Sequence, residues 1–146
     1  MTYRSRAVSL LGAVVLLTGL WSGAGQAAQT AAQTGPYIVE VADVTAHVGQ
    51  HAVMHVTLRL RPGYRLLESY TNRVSRFSSL DGDVAFDRPV VRGVVQDGTL
   101  VFAVGVTPTA AGRHPINGVF RVGYIQDPDS LSMISVPLIA NVIGAP

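Results

Sequence analysis

The sequence predicts an all-β fold: an immunoglobulin-like antiparallel β-sandwich of about seven or eight strands behind a cleaved signal peptide, with a small barrel as the alternative. Three observations predict it. His51 to Arg61, HAVMHVTLRLR, alternates in twos, with Ala52, Met54, Val56, Leu58 and Leu60 on one side and His51, Val53, His55, Thr57, Arg59 and Arg61 on the other. Successive side chains of a strand point to opposite faces, so this is a strand with one dry face and one wet face. Turn signals recur roughly every 8–12 residues, the spacing of short strands in a sandwich. No helical periodicity of useful length follows Ala27.

A chain of 146 residues suggests one domain. Residues 1–27 read as the signal peptide: Arg4 and Arg6 make a basic start, Ala7 to Trp21 is apolar, and Gly25 and Ala27 take the small-residue cleavage positions. The apolar run is shorter than the ~20 residues that span a bilayer. Residues 28–36 form a flexible lead-in and residues 37–144 the sandwich domain. The 11 basic residues are all Arg, against 9 acids. Loss of Arg4 and Arg6 leaves a near-neutral mature chain, so nucleic acid is not an expected partner. Cysteine is absent, which excludes disulfides, thiol chemistry and cysteine-ligated metals.

The elements follow in order. Tyr37 to Val44 is a first strand, and His47 to Gln50 turns the chain into the long alternating strand. Pro62-Gly63 marks the next turn. Arg65 to Tyr70 is extended, and Thr71 to Leu80, polar and aperiodic, reads as a long surface loop. After the Asp81-Gly82 turn, Val84 to Asp87 is a short strand. Val90 to Val95 is another, weakened or bulged at Gly93. Asp97-Gly98 signals a hairpin into Leu100 to Thr107, apolar on both faces and therefore central. Pro108 to Arg113 is a loop, Ile116 to Ile125 alternates again, and Gln126 to Ser132 is a loop. Met133 to Val142 is the last strand, with Pro137 pointing to an edge or a bulge.

Chemistry is sparse. On a strand, His51 and His55 lie ~13 Å apart, too far to share an ion, so no metal site is expected from His47, His51 and His55. Met54 and Met133 read as packing residues rather than copper ligands. His114 has no evident acid partner in the sequence, no G-x-S-x-G or phosphate-binding glycine pattern occurs, and most of the aspartates sit in turns. No catalytic residue, cofactor or metal is expected. The segment from Arg59 to Arg76 is rich in Arg against Glu68 alone. Arg61, Tyr64, Arg65, Tyr70, Arg73, Arg76 and Phe77 combine Arg with aromatics, the composition of a partner interface.

Gly118 to Pro137, GVFRVGYIQDPDSLSMISVP, resembles the closing part of the N-terminal periplasmic domain of the thiol:disulfide interchange protein, the DsbD family. Tyr124, Gln126 and Pro137 form the matching frame, and the Pro62-Gly63-Tyr64 turn after a long alternating strand and the Gly112 to Gly118 approach look like that family too. The likeness runs roughly from Val39 to Gly144. It implies an immunoglobulin-like sandwich. The family works through a cysteine pair in the loop where this chain has Asp127 to Met133, so the resemblance implies binding without redox chemistry.

The whole chain also looks, by size, export and lack of chemical groups, like the small accessory subunit of the membrane-bound quinoprotein alcohol dehydrogenases of acetic acid bacteria. No residue is carried over from that likeness. The expectation is a non-catalytic periplasmic accessory subunit on the periplasmic side of the inner membrane. Its partners would be larger periplasmic or membrane-bound redox subunits, with membrane contact only through them. The alternatives are a small ligand- or copper-binding module using His47, His51, His55 or Met133, or a redox-inactive relative of the disulfide interchange domain.

Overall fold

A computed structural model describes residues 35–126 and 130–146, so the signal-peptide reading and most of the lead-in lie outside the described residues. Eleven strands and no helix occur among them: β1 (Tyr37–Val41), β2 (Val44–His47), β3 (Ala52–Leu60), β4 (Tyr64–Leu66), β5 (Arg73–Ser79), β6 (Val84–Phe86), β7 (Val90–Arg92), β8 (Val94–Gln96), β9 (Thr99–Pro108), β10 (Gly112–Gln126) and β11 (Ser130–Ala145). They form two packed sheets. The five-stranded sheet runs β1-β3-β9-β6, with β8 also on β9; the six-stranded sheet runs β2-β11-β10-β5-β7, with β4 also on β10. The fold is the two-sheet, all-β sandwich the sequence predicts. The surplus over seven or eight strands comes from short segments and from splits where the chain changes sheets.

The organising strand behaves as its alternation requires. β3 lies between β1 and β9, and Met54, Val56 and Leu58 are buried in the core. Beside them on β9, Phe102 meets Phe120 of β10 across the sheets, with ring centroids 5.1 Å apart. Burial of side chains of this size contributes about 1.5–3 kcal/mol each before entropy is counted. Asp97 and Gly98 both have positive φ (49° and 73°), the two-residue turn whose twist suits a β-hairpin.

Five expectations need correcting. Gln126 to Ser132 is not all loop: β10 reaches Gln126 and β11 starts at Ser130, which pairs with it. Thr71 to Leu80 is mostly strand β5, with Val74 fully buried. Ser75 pairs with Val119 and Ser78 with Asn117, so Arg76 and Phe77 together oppose Gly118. This bulge, with Arg76 at φ 56°, turns Val74 and Phe77 to the same side although they are three residues apart. Arg65 to Tyr70 is extended only as far as Leu66. Tyr37 to Val44 is not one strand: β1 ends at Val41, and β2 joins the other sheet as a parallel partner of β11. The Asp43 carboxylate pins that crossing, accepting hydrogen bonds from Asn141 N and Nδ2 and from Arg113 Nη2. Gly93 is not a bulge within a strand. β7 pairs with β5 and β8 with β9, so the chain changes sheets there. A Cβ on Gly93 would lie 2.8 Å from the Phe102 ring, which leaves room only for glycine.

Pro137 does sit on an edge. β11 pairs with β10 along its length, but β2 covers only Val142 to Ala145 on its other side. Asn72, buried, fills a different gap. Between β4 and β5 its Oδ1 accepts from Gly123 N (2.9 Å), taking the place of a strand neighbour on β10.

Candidate functional site

The pairing register assembles a surface that no single segment displays. Arg121 of β10 pairs with Arg73 of β5, and Arg73 pairs with Arg92 of β7. Directly paired residues share a sheet face, and Phe120, Val74 and Val91, the alternating neighbours, face the core. The three arginines therefore stand in one row across β10, β5 and β7, about 4.8 Å apart from strand to strand, and Arg92, on the edge strand β7, also lines a groove on the other sheet. Like charges directly opposite one another destabilise a sheet. Elsewhere arginines are matched: Arg113 with Asp43 at 2.9 Å and Arg59 with Glu40 at 3.7 Å. No carboxylate among the described residues pairs with Arg73, Arg92 or Arg121. Arg73 is steadied by Thr71 O (3.1 Å) and by the Tyr70 ring, 5.9 Å from its guanidinium carbon.

An apolar stripe borders the row. In β11, Leu131, Met133, Ser135, Pro137 and Ile139 pair with Ile125, Gly123, Arg121, Val119 and Asn117, and so share the same outer face. Leu131, Met133 and Ile139 are 67%, 65% and 64% exposed. Tyr70 packs on the same face, over Gly123, where a Cβ would lie 2.8 Å from it. The stripe lies on the open edge of the sheet. Asn141 N–H points to that edge, where Asp43 caps it, and the alternating residues back to Leu131 share its direction. Pro137 withholds its donor there, a common guard on exposed edges.

Of the residues predicted for an interface, the structure gathers three on this face: Arg65, through its pairing with Ile125, and Tyr70 and Arg73. Tyr64 turns inward and packs edge-on against Tyr124 at 5.6 Å. Phe77 also turns inward, stacked on Phe86 at 5.1 Å. Arg61 is exposed in the β3–β4 turn and Arg76 at the bulge. Arg92, Arg121, Leu131, Met133 and Ile139 are not among the interface residues that the sequence predicts, Met133 standing there only as a copper-ligand alternative. The alternation of β10 and β11 was a readable signal for the last four, but strand pairing was not.

The outer face of the other sheet carries a groove of about 620 Å³. Val53, Val101 and Ala103 contribute apolar surface, with His55, Arg88 and Arg92 around it. His51 Nε2 bonds Asp87 Oδ2 at 2.7 Å, directly over Gly105, where a Cβ would collide with the Asp87 carboxylate. No hydroxyl or thiol side chain among the described residues lines the groove beside this His–Asp pair. His47, 51 and 55 do not converge. His47 Nδ1 contacts Pro146 O (2.8 Å), and Met133 lies on the opposite sheet.

His114 does have an acid partner, contrary to the sequence expectation. It is 4% exposed, and its Nδ1 lies 2.7 Å from Asp81 Oδ2. Its Nε2 donates to Ala110 O at 2.9 Å. The Asp81 bond, then the Ala110 bond, raises the His114 pKa above its ordinary value. Asp81 is held far below the usual carboxylate range, first by Ser79 Oγ and then by His114 and the Asp83 N–H.

No family model matches the chain, and no curated protein matches it. Among solved structures it is similar to the GAE domain of GGA2p from Saccharomyces cerevisiae, at 11% identity and a TM-score of 0.34, over 77% of this chain and 96% of that one.

Proposed function

We propose that this chain is an exported, non-catalytic accessory module that docks on a larger partner and supports its assembly or stability. The observation that carries this reading is the outer face of the six-stranded sheet, where an unmatched arginine row borders an exposed apolar stripe. Arg, Tyr and Met are enriched at the centres of interfaces, and apolar patches of this kind mark binding surfaces. The fitting partner surface is apolar and edged by carboxylates, which would relieve the repulsion within the row. A larger redox enzyme at the periplasmic side of the inner membrane, of the quinoprotein alcohol dehydrogenase type, is the partner class the looser likeness suggests. The absence of cysteine supports a role without thiol exchange.

Purification of the tagged chain from the envelope of its source cells tests this. The expected result is stoichiometric co-purification with a larger subunit. That association should be lost in the Arg73→Glu, Arg121→Glu double variant and kept in Arg59→Glu, which alters the other sheet. A wild-type chain that runs alone contradicts the reading. A second reading, a small-ligand module, is favoured by the Val-lined groove with Arg88 and Arg92 at its rim, a setting for an apolar molecule with an anionic end.

A further inference from the structure

Asp81, Asp83 and His114 lie at one end of the sandwich, where the β5–β6 turn meets the β9–β10 connection. One ligand atom from each, His114 Nδ1 and a carboxylate oxygen of either aspartate, lies within 4.8 Å of the other two. The hydrogen bonds of the imidazole set its chemistry. Ala110 O can only accept, so His114 Nε2 carries a hydrogen. In a neutral ring Nδ1 is then a bare lone pair, and it faces a carboxylate oxygen at 2.7 Å. Two acceptors do not hold one another at that distance. Something positive belongs between them: a proton, or a metal ion.

Asp83 distinguishes the two. Its Oδ2 is 3.9 Å from Nδ1, too far for a hydrogen bond, and its carboxylate has no other partner among the described residues. A proton on Nδ1 is satisfied by Asp81 alone and leaves Asp83 without a role. An ion engages all three groups. Tetrahedral ligands at ~2.1 Å from zinc stand about 3.4 Å apart. Relative to Nδ1, Asp81 would recede by roughly 0.7 Å and Asp83 approach by roughly 0.5 Å, within the reach of exposed and half-exposed side chains. The Nε2–H to Ala110 O bond is the outer contact that orients a metal-bound imidazole and fixes its tautomer. Ser79 Oγ and the Asp83 N–H hold Asp81 Oδ1 and aim Oδ2 at the same point.

We propose that His114 Nδ1, Asp81 and Asp83 form a binding site for a divalent transition-metal ion, with zinc as the probe, in which the ion takes the place of the Nδ1 proton. The step balances simply: the Nδ1–H bond breaks, the Nδ1–metal bond forms, and one proton goes to solvent. The ion closes three protein ligands with solvent at the fourth position, and it staples two loops at one end of the sandwich.

Calorimetric titration of the mature chain with zinc chloride tests the proposal, with buffers of different ionisation enthalpy to count protons. The expected result is one ion bound and about one proton released. Affinity should fall about tenfold per pH unit where His114 is protonated. Asp83→Asn leaves every hydrogen bond of the His114–Asp81 pair in place, so it should fold normally and bind zinc at least roughly tenfold more weakly. In ¹⁵N-histidine spectra, zinc should shift Nδ1 of His114 and leave Nε2 protonated. Absence of zinc binding, equal affinity in Asp83→Asn, or a zinc shift confined to His47, His51 or His55 would overturn the site.

Discussion

At the residue scale, buried polar groups decide local order. Asn72 Oδ1 takes the Gly123 N–H, its Nδ2 donates to Leu67 O, and its own carbonyl accepts from Gly93 N. One side chain thus joins the β4–β5 connection to the central strand, beside the point where the chain changes sheets. Asn72→Ala leaves a buried N–H unpaired, and such a loss costs about 1–3 kcal/mol. Urea unfolding should show a lower midpoint with an unchanged slope. The His114–Asp81 pair makes a pH-dependent contribution whose sign follows from the shifts. His114 is raised above 6.5, so its contribution is complete below that value and is lost as pH climbs through the raised pKa. Asp81 is lowered from 3.8, so its share is present above that value and disappears only in strong acid. Melting temperature should therefore decline on the alkaline side of His114's titration in metal-free buffer, and Asp81→Asn should flatten that decline.

At the element scale, β11 is the strand whose design bears most on function. Its open edge runs from Ser130 to Asn141, its outward side chains are largely apolar, and Pro137 interrupts the row of edge donors. Pro137→Val restores the missing N–H without touching the core. The variant should self-associate at concentrations where the wild type does not, as sedimentation velocity would show. Other strands show how much could be read from the sequence. Alternation revealed β3 and β10, and Asp97-Gly98 revealed the β8–β9 hairpin, because each signal is local. β5 was illegible because the bulge at Arg76 and Phe77 breaks its period. The sheet changes at Asp43 and Gly93 were illegible because a crossing chain and a bulged one look alike in sequence. For the site, Arg65, Tyr70 and Arg73 stood out by composition. Arg92 and Arg121 are 19 and 48 positions from Arg73, and only pairing brings them together.

At the scale of the whole molecule, the two outer faces of the sandwich differ. One has a groove in which the acid Asp87 is already taken by His51. The other has a row of cations that no carboxylate among the described residues pairs with, beside an apolar edge. Arg92, on the edge strand β7, takes part in both. Position 133 reports on the arginine face and position 103 on the groove. A photo-crosslinking residue placed at Met133, and separately at Ala103, in otherwise wild-type chain within intact source cells tests the docking account most directly. A covalent adduct of defined, larger mass from position 133 and none from position 103 is the predicted result; an adduct from position 103 alone, or none from either position, contradicts it.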